Sequence, residues 1–100
     1  MKYYSVLAVT PKNEDWIPAY LEAANRLVAK HGGSYLARTA THETLEGDGQ
    51  DAGLRIVLEW PSREATLAFM SDPEYAPHLE QRLANSESHH FLIAGQDDLA

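Results

Sequence analysis

Two charged side chains, Arg38 and Glu59, have the spacing of a cross-strand pair that could bind a ligand. They lie in two alternating segments joined by residues 46–51, a polar stretch with two glycines that is typical of a hairpin tip. If the tip centres on residues 48–49, Arg38 lies opposite Glu59, whereas a slip of one residue would place them on opposite faces. A guanidinium beside a carboxylate can hold an anionic or carbonyl ligand. The alternative is a structural ion pair that fixes the register.

Adjacent histidines, His89 and His90, begin a segment (residues 89–94) that is predicted to be a strand. Neighbouring residues of a strand point to opposite faces, so the two imidazoles cannot bind one metal ion within a subunit. We predict that one of them, taken to be His90, faces an interior cavity as a general base. The alternative is one exposed histidine and one that is packed or hydrogen-bonded. Glu74 and His78 suit a surface pair better than a metal site, so we expect no metal and no cofactor.

Aromatic residues supply candidates for the wall of a ligand site. Trp60 ends the third predicted strand, and Tyr4 lies in a strand that is apolar on both faces, so that it could reach either face. Core packing is the alternative for Tyr4, and it is also expected for Tyr20 and Tyr75. The sequence has no legible Ser-His-Asp order, phosphate-binding glycine loop or metalloprotease motif.

The elements that must position these residues follow from hydrophobic periodicity and from proline and glycine punctuation. Strands are predicted at residues 3–9, 34–42, 54–60 and 89–94. One helix is predicted to start near Ile17 and to stop at Gly32-Gly33. A second helical region starts at Ser62 and restarts at Asp72-Pro73. It continues with an apolar stripe of Ala76, Leu79 and Leu83. The order β-α-β-β-α-β predicts a single α+β, ferredoxin-like domain over residues 1–100, with a four-stranded antiparallel sheet and the helices on one face.

The face of the sheet that the helices leave open is predicted to be apolar. Either parity of each strand exposes a large aliphatic or aromatic residue there, namely Leu7 or Val6, Phe91 or Leu92, and Ile56 or Val57. A continuous apolar patch of that extent is unusual on a soluble monomer. We therefore predict a homodimer that pairs the open sheet faces of two copies about a two-fold axis.

Composition excludes several classes of partner. The chain has 8 Lys and Arg against 15 Asp and Glu, for a formal net charge of −7, and its basic residues are scattered. Nucleic-acid binding needs a basic surface, so neither nucleic acid nor an anionic membrane is expected as a partner. The absence of cysteine excludes disulfides and thiolate chemistry. The first residues lack the long apolar core of a signal peptide, so a cytoplasmic location is predicted.

Four stretches resemble a known family along nearly the whole chain. They are residues 30–38 (Lys-His-Gly-Gly-Ser-Tyr-Leu-Ala-Arg), 45–47 (Leu-Glu-Gly), 58–65 (Leu-Glu-Trp-Pro-Ser-Arg-Glu-Ala) and 71–75 (Ser-Asp-Pro-Glu-Tyr). In this order they are similar to the domain of unknown function 1330 family. The resemblance implies membership of the dimeric α/β-barrel superfamily, in which two ferredoxin-like subunits close their sheets around a central cavity. That superfamily includes cofactor-independent monooxygenases, lactone isomerases and haem-degrading enzymes, so the fold does not select one reaction.

Two functions follow as hypotheses. The first is a dimer that binds a small aromatic or carbonyl compound for cofactor-independent monooxygenation or isomerisation. The second is a non-enzymatic small-molecule-binding or stress-associated dimer, so whether the protein is an enzyme stays open. The candidate ligand-binding residues are Arg38, Tyr4 and Trp60, and the candidate catalytic residues are Glu59 and His90.

Overall fold

The fold is ferredoxin-like, as predicted. The computed structural model describes residues 1–49 and 51–100. Its elements are β1 (Tyr3–Pro11), α1 (Ile17–Lys30), β2 (Ser34–Thr39), β3 (Leu54–Trp60), α2 (Arg63–Met70), α3 (Ala76–Asn85) and β4 (Ser86–Ala94). The four strands form one antiparallel sheet in the order β2-β3-β1-β4. Among the described residues, no helix is long and apolar enough to cross a membrane.

Asp72 divides the second helical region into α2 and α3. One carboxylate oxygen accepts a hydrogen bond from the Glu74 backbone N–H at 2.9 Å. The other contacts His31 Nε2 at 2.8 Å and Lys30 Nζ at 2.9 Å. These hydrogen bonds, from His31 first and then Lys30, hold the pKa of Asp72 well below its ordinary value. The chain therefore turns at Asp72, and α3 begins at Ala76 rather than directly after Pro73.

The strand pleat gives the sheet two chemically different faces. The face that packs against the helices, called the inner face, includes Ser5, Leu7 and Val9 of β1, all of which are buried. These residues pair across the sheet with inner-face residues of β3 and β4; Leu7, for example, pairs with Ile56 and His90. The alternate residues form the opposite face, called the outer face.

The predicted register of the β2–β3 hairpin is wrong. Arg38 pairs with Ile56, and Glu59 pairs with Ser34. The register shifts between Tyr35 and Ala37, and such an irregularity changes which side chains share a face. β2 also ends at Thr39 instead of His42, so the connection to β3 is longer than a tight turn at residues 48–49. Gln50, which belongs to the predicted tip, lies outside the described residues.

The end of α1 explains the Gly32-Gly33 pair. Gly32 has a φ of 80°, the left-handed conformation that favours glycine at a helix terminus. Gly33 is required for close packing instead, since an added Cβ would lie 2.7 Å from the ring of Trp60. The two glycines thus end the helix and allow the start of β2 to pack directly against the buried indole of Trp60.

The outer face exposes the apolar residues that the sequence predicts for an uncovered sheet. Phe91 is 67% exposed and Ile93 is 51% exposed, and Val6 lies in the adjacent strand at 38%. Val6 and Phe91 are directly paired, so these side chains form one patch. No described helix covers this face of the sheet.

Candidate functional site

A cavity of about 90 Å³ lies between the inner face of the sheet and the helices. Its walls are mainly apolar and aromatic. Trp60 and Phe69 lie with ring centroids 5.2 Å apart, and Phe69 lies 4.2 Å from Tyr75. Two of the residues that line it, Leu21 of α1 and Arg38 of β2, are also exposed to solvent. The cavity therefore reaches the surface between α1 and β2. A concave apolar volume with a few polar groups is the usual form of a small-molecule site.

Three side chains form a hydrogen-bonded chain along the cavity wall. His90 Nε2 lies 2.8 Å from Ser5 Oγ, and Trp60 Nε1 donates to the same oxygen at 2.9 Å. The three residues come from β4, β1 and β3, and the sheet register aligns them on the inner face. The indole N–H can only donate, so it fixes the Ser5 hydroxyl between two ring systems. The imidazole of His90 is thereby held in one orientation.

This chain does not form a hydrolytic triad. The Ser5 hydroxyl is already engaged by His90 and Trp60, and its side chain is fully buried. Among residues 1–49 and 51–100, no carboxylate contacts the other ring nitrogen of His90. The serine therefore serves to orient the imidazole, and the imidazole is the group that can exchange a proton.

Arg82 places a positive charge in this apolar interior. It lies on α3, lines the cavity and is only 3% exposed. Its Nε and Nη1 atoms are buried without a hydrogen-bond partner among the described residues. The guanidinium carbon lies 5.9 Å from the centroid of the Tyr20 ring, which provides a weak cation–π contact. A buried charge without a counter-ion costs several kcal/mol, so this arrangement is not explained by folding stability alone.

Two phenols lie beside Arg82. The hydroxyls of Tyr20 and Tyr75 lie 2.7 Å apart, and one donates a hydrogen bond to the other. Burial raises the pKa of Tyr75 far above its ordinary value, so its hydroxyl stays protonated. Tyr75 therefore offers Arg82 no negative charge.

The protonation state of His90 follows from its surroundings. Burial, and then the nearby charge of Arg82, lower the pKa of His90 to about 4. At neutral pH the imidazole is uncharged and one of its nitrogens has a lone pair. His90 can therefore accept a proton from a molecule in the cavity.

The structure brings three of the five predicted site residues to the cavity. Trp60, His90 and Arg38 line it. The Arg38 guanidinium stacks 3.9 Å over the Tyr35 ring and donates to the side-chain oxygen of Asn25 at 2.7 Å, at the cavity mouth.

The other two predicted residues lie on the outer face. Glu59 accepts a hydrogen bond from Lys2 at 2.7 Å, and Tyr4 pairs with Glu59 in the sheet. Arg38 and Glu59 therefore do not form the predicted pair, because the shifted β2 register separates them onto opposite faces. Glu59 cannot move a proton for a ligand in the cavity from this position, and Tyr4 cannot line its wall.

Two other sequence-based expectations can be compared with the structure. The histidine pair splits as predicted, since His90 lines the cavity while His89 lies 3.7 Å from Glu87 on the outer face. Glu74 and His78 do not share a helical face, because Glu74 precedes α3 and instead binds Arg26 at 2.7 Å.

Sequence reasoning missed Arg82 and Ser5. Leu83 was assigned to the apolar stripe of α3, but it is 57% exposed while Arg82 is buried. The sequence does contain a signal that Arg82 could be buried, because it lies three residues after Leu79 and residues three apart share one face of a helix. Ser5 stands among apolar inner-face residues of β1, and a lone polar residue at such a position indicates a buried hydrogen bond.

The sequence matches the family model described as Domain of unknown function (DUF1330) over residues 2–96. The chain belongs to this family. No curated protein matches it significantly.

Solved structures share the fold over nearly the full chain. A protein of unknown function from Rhodopseudomonas palustris is 16% identical, with 96% of this chain and 83% of that chain covered and a TM-score of 0.81. SnoaB, a cofactor-independent oxygenase from Streptomyces nogalater, is 18% identical, with 98% and 96% covered and a TM-score of 0.64. A dimeric ferredoxin-like protein of unknown function from Jannaschia is 11% identical, with 94% and 99% covered and a TM-score of 0.65. At these identities the likeness shows the fold alone.

The lowered pKa of His90 gives a direct prediction. We expect its ring Cε1–H signal in an NMR titration to change near pH 4 instead of near the ordinary value of 6.5. Because the folded pKa lies below the unfolded one, His90 contributes stability above pH 6.5 that is lost as the pH falls towards 4. Replacing Arg82 with Met removes a neighbouring positive charge and should move the midpoint upward. A His90 midpoint near 6.5 in the unmodified protein would contradict this description of the site.

Proposed function

We propose that this protein binds a small aromatic or carbonyl compound in the inner cavity and catalyses a cofactor-independent reaction on it. The observation that supports this proposal is the position of His90, an uncharged imidazole fixed by Ser5 at the wall of an apolar cavity. The aromatic rings of Trp60, Phe69 and Tyr75 offer flat surfaces to a planar ligand. Arg38 at the mouth is placed to contact the part of the ligand nearest solvent.

Proton abstraction by His90 is the step that such a site can perform. When Nε2–H donates to Ser5, Nδ1 has the lone pair that takes a proton from a carbon next to a carbonyl or from a phenol. Burial makes the imidazole a weak base at rest, so transfer is favoured only if the resulting anion is stabilised beside the imidazolium. In an isomerisation the same proton returns to another carbon of the substrate.

Oxygenation would use the same anion and dioxygen as the co-substrate. The carbanion transfers electrons to O₂ and forms a carbon–oxygen bond, which gives a hydroperoxide. Loss of water then leaves a carbonyl, so a CH₂ group and O₂ become C=O and H₂O. SnoaB, which shares the fold, is a cofactor-independent oxygenase, and this supports testing oxygenation among the candidate reactions. The alternative function is a non-enzymatic small-molecule-binding or stress-associated dimer, which the same cavity would also suit.

Two histidines on one strand provide a matched test of catalysis. Turnover of small enolisable ketones and phenols should be followed by oxygen consumption and by ultraviolet absorbance. Loss of the general base in His90→Gln should lower the rate by about 10²–10⁴-fold. His89→Gln changes the neighbouring outer-face residue and should leave the rate unchanged. Equal rates in both variants would refute the role of His90, and binding without any turnover would favour the non-enzymatic alternative.

We further propose that the protein acts as a homodimer that pairs the outer faces of two copies. The exposed side chains of Val6, Phe91 and Ile93 form an apolar patch that association would cover. The Jannaschia protein with this fold is dimeric, which supports self-association.

The apolar patch can be tested by sedimentation. Replacing Phe91 with Lys should weaken self-association by at least about tenfold, because a charge would be buried in the interface. Leu67→Lys is the control, since Leu67 is also an exposed apolar residue but lies on α2. A monomer at micromolar concentrations of the unmodified protein would contradict the proposal.

A further inference from the structure

The charges around the cavity have one sign. Arg38 and Arg82 line it, and no Asp or Glu does so among residues 1–49 and 51–100. His90 is uncharged at neutral pH. The chain as a whole carries a net charge of −7, so a cavity with only positive charges departs from the rest of the molecule.

Arg82 has unused hydrogen-bond donors at this site. Its Nε and Nη1 groups are buried without a partner in the described part of the chain, and the side chain is more than nine-tenths buried. Nε–H and Nη1–H point to different sides of the guanidinium, so a carboxylate would bind end-on to Nη1 and Nη2 or side-on to Nε and Nη2. A neutral carbonyl could accept hydrogen bonds but would leave the positive charge uncompensated. A carboxylate both accepts hydrogen bonds and compensates the charge.

The size of the cavity restricts the acid. Its volume of about 90 Å³ is smaller than the ~150 Å³ cavity that accommodates benzene in another protein. The interior therefore holds a carboxylate with a few carbon atoms, and any larger group must extend past Arg38 at the mouth. Because the interior contains one guanidinium, we expect the ligand to carry one negative charge.

We propose that the ligand is a small monocarboxylic acid whose carboxylate binds the guanidinium of Arg82, with the reacting carbon next to His90. This inference rests on the proposed function of the cavity and defines its substrate class. The bound carboxylate would also face the imidazolium that forms when His90 takes a proton, so that the two charges compensate each other. Arg82 would then select the substrate through its charge, while the aromatic wall would select it through shape.

Matched pairs of acids and neutral amides test this inference. Binding of crotonate and crotonamide, and of propionate and propionamide, should be measured by NMR titration of the unmodified protein. We expect each acid to bind at least about tenfold more tightly than its amide, as a buried charge pair requires. This preference should disappear in Arg82→Met and persist in Arg63→Met, which removes an exposed arginine at the start of α2.

The unmodified protein gives a second measurement that does not depend on folding of a variant. Addition of the acid should shift the Nε–H signal of Arg82, and addition of the amide should not. Equal affinity for acid and amide would overturn the carboxylate inference but leave the proposed cavity function intact. A preference for acids that Arg82→Met retains would also overturn it. If neither acids nor amides bind and neutral aromatic ketones do, the substrate class is wrong while the cavity function stands. If none of these compounds binds, both proposals fail.

Discussion

A single positive charge, the guanidinium of Arg82, lies in the apolar layer between the sheet and the helices. Proteins rarely bury an arginine without a carboxylate, because only a counter-ion and hydrogen bonds offset the free energy of removing the charge from water. Here its neighbours include the ring of Tyr20, the protonated Tyr75 and the uncharged His90. The cavity and its aromatic wall lie around this charge, and the charge contributes to the low pKa of His90. A local arrangement that lowers stability is expected where a protein keeps groups ready for a ligand.

The alternation of a β-strand separates two roles on one sheet. Ser5, Trp60 and His90 point to the inner face and form the hydrogen-bonded chain at the cavity. Their immediate neighbours in sequence, among them Val6 and Phe91, point outward and form the exposed apolar patch. Because the period is two residues, the chain can place chemistry on one face and a surface for association on the other without additional elements. The proposed dimer would cover the outer face while leaving the cavity mouth between α1 and β2 accessible.

The parts of the fold that depend on local patterns were predictable from the sequence. Strand alternation, the helical apolar spacing and the Gly32-Gly33 stop gave the ferredoxin-like order, and the opposite directions of His89 and His90 followed from strand geometry. The register of β2 could not be predicted, because an irregularity between Tyr35 and Ala37 adds no clear signal to the sequence. That shift placed Arg38 on the inner face, and the overall register, in which Ser34 pairs with Glu59, left Arg38 four residues along β2 from the partner of Glu59.

The site depended on contacts between distant segments, which sequence spacing does not report. Ser5 meets Trp60 and His90 only because β1 lies between β3 and β4 in the sheet. Arg82 was hidden for a different reason, since a charged residue beside Leu83 on a short helix normally points to solvent. Arg82 and not Leu83 lies on the buried side of α3, and residue type alone predicts the opposite result.

The central claim is that the inner cavity, and not the outer face or the β2–β3 connection, is where this protein binds its ligand. Chemical-shift mapping of the labelled protein with small aromatic and carbonyl fragments tests it most directly. The account predicts that the Trp60 indole N–H, the His90 ring and the backbone amide of Ser5 respond together to the same fragments. Responses confined to outer-face residues such as Val6 and Phe91, with the Trp60 indole signal unchanged at saturation, would contradict it.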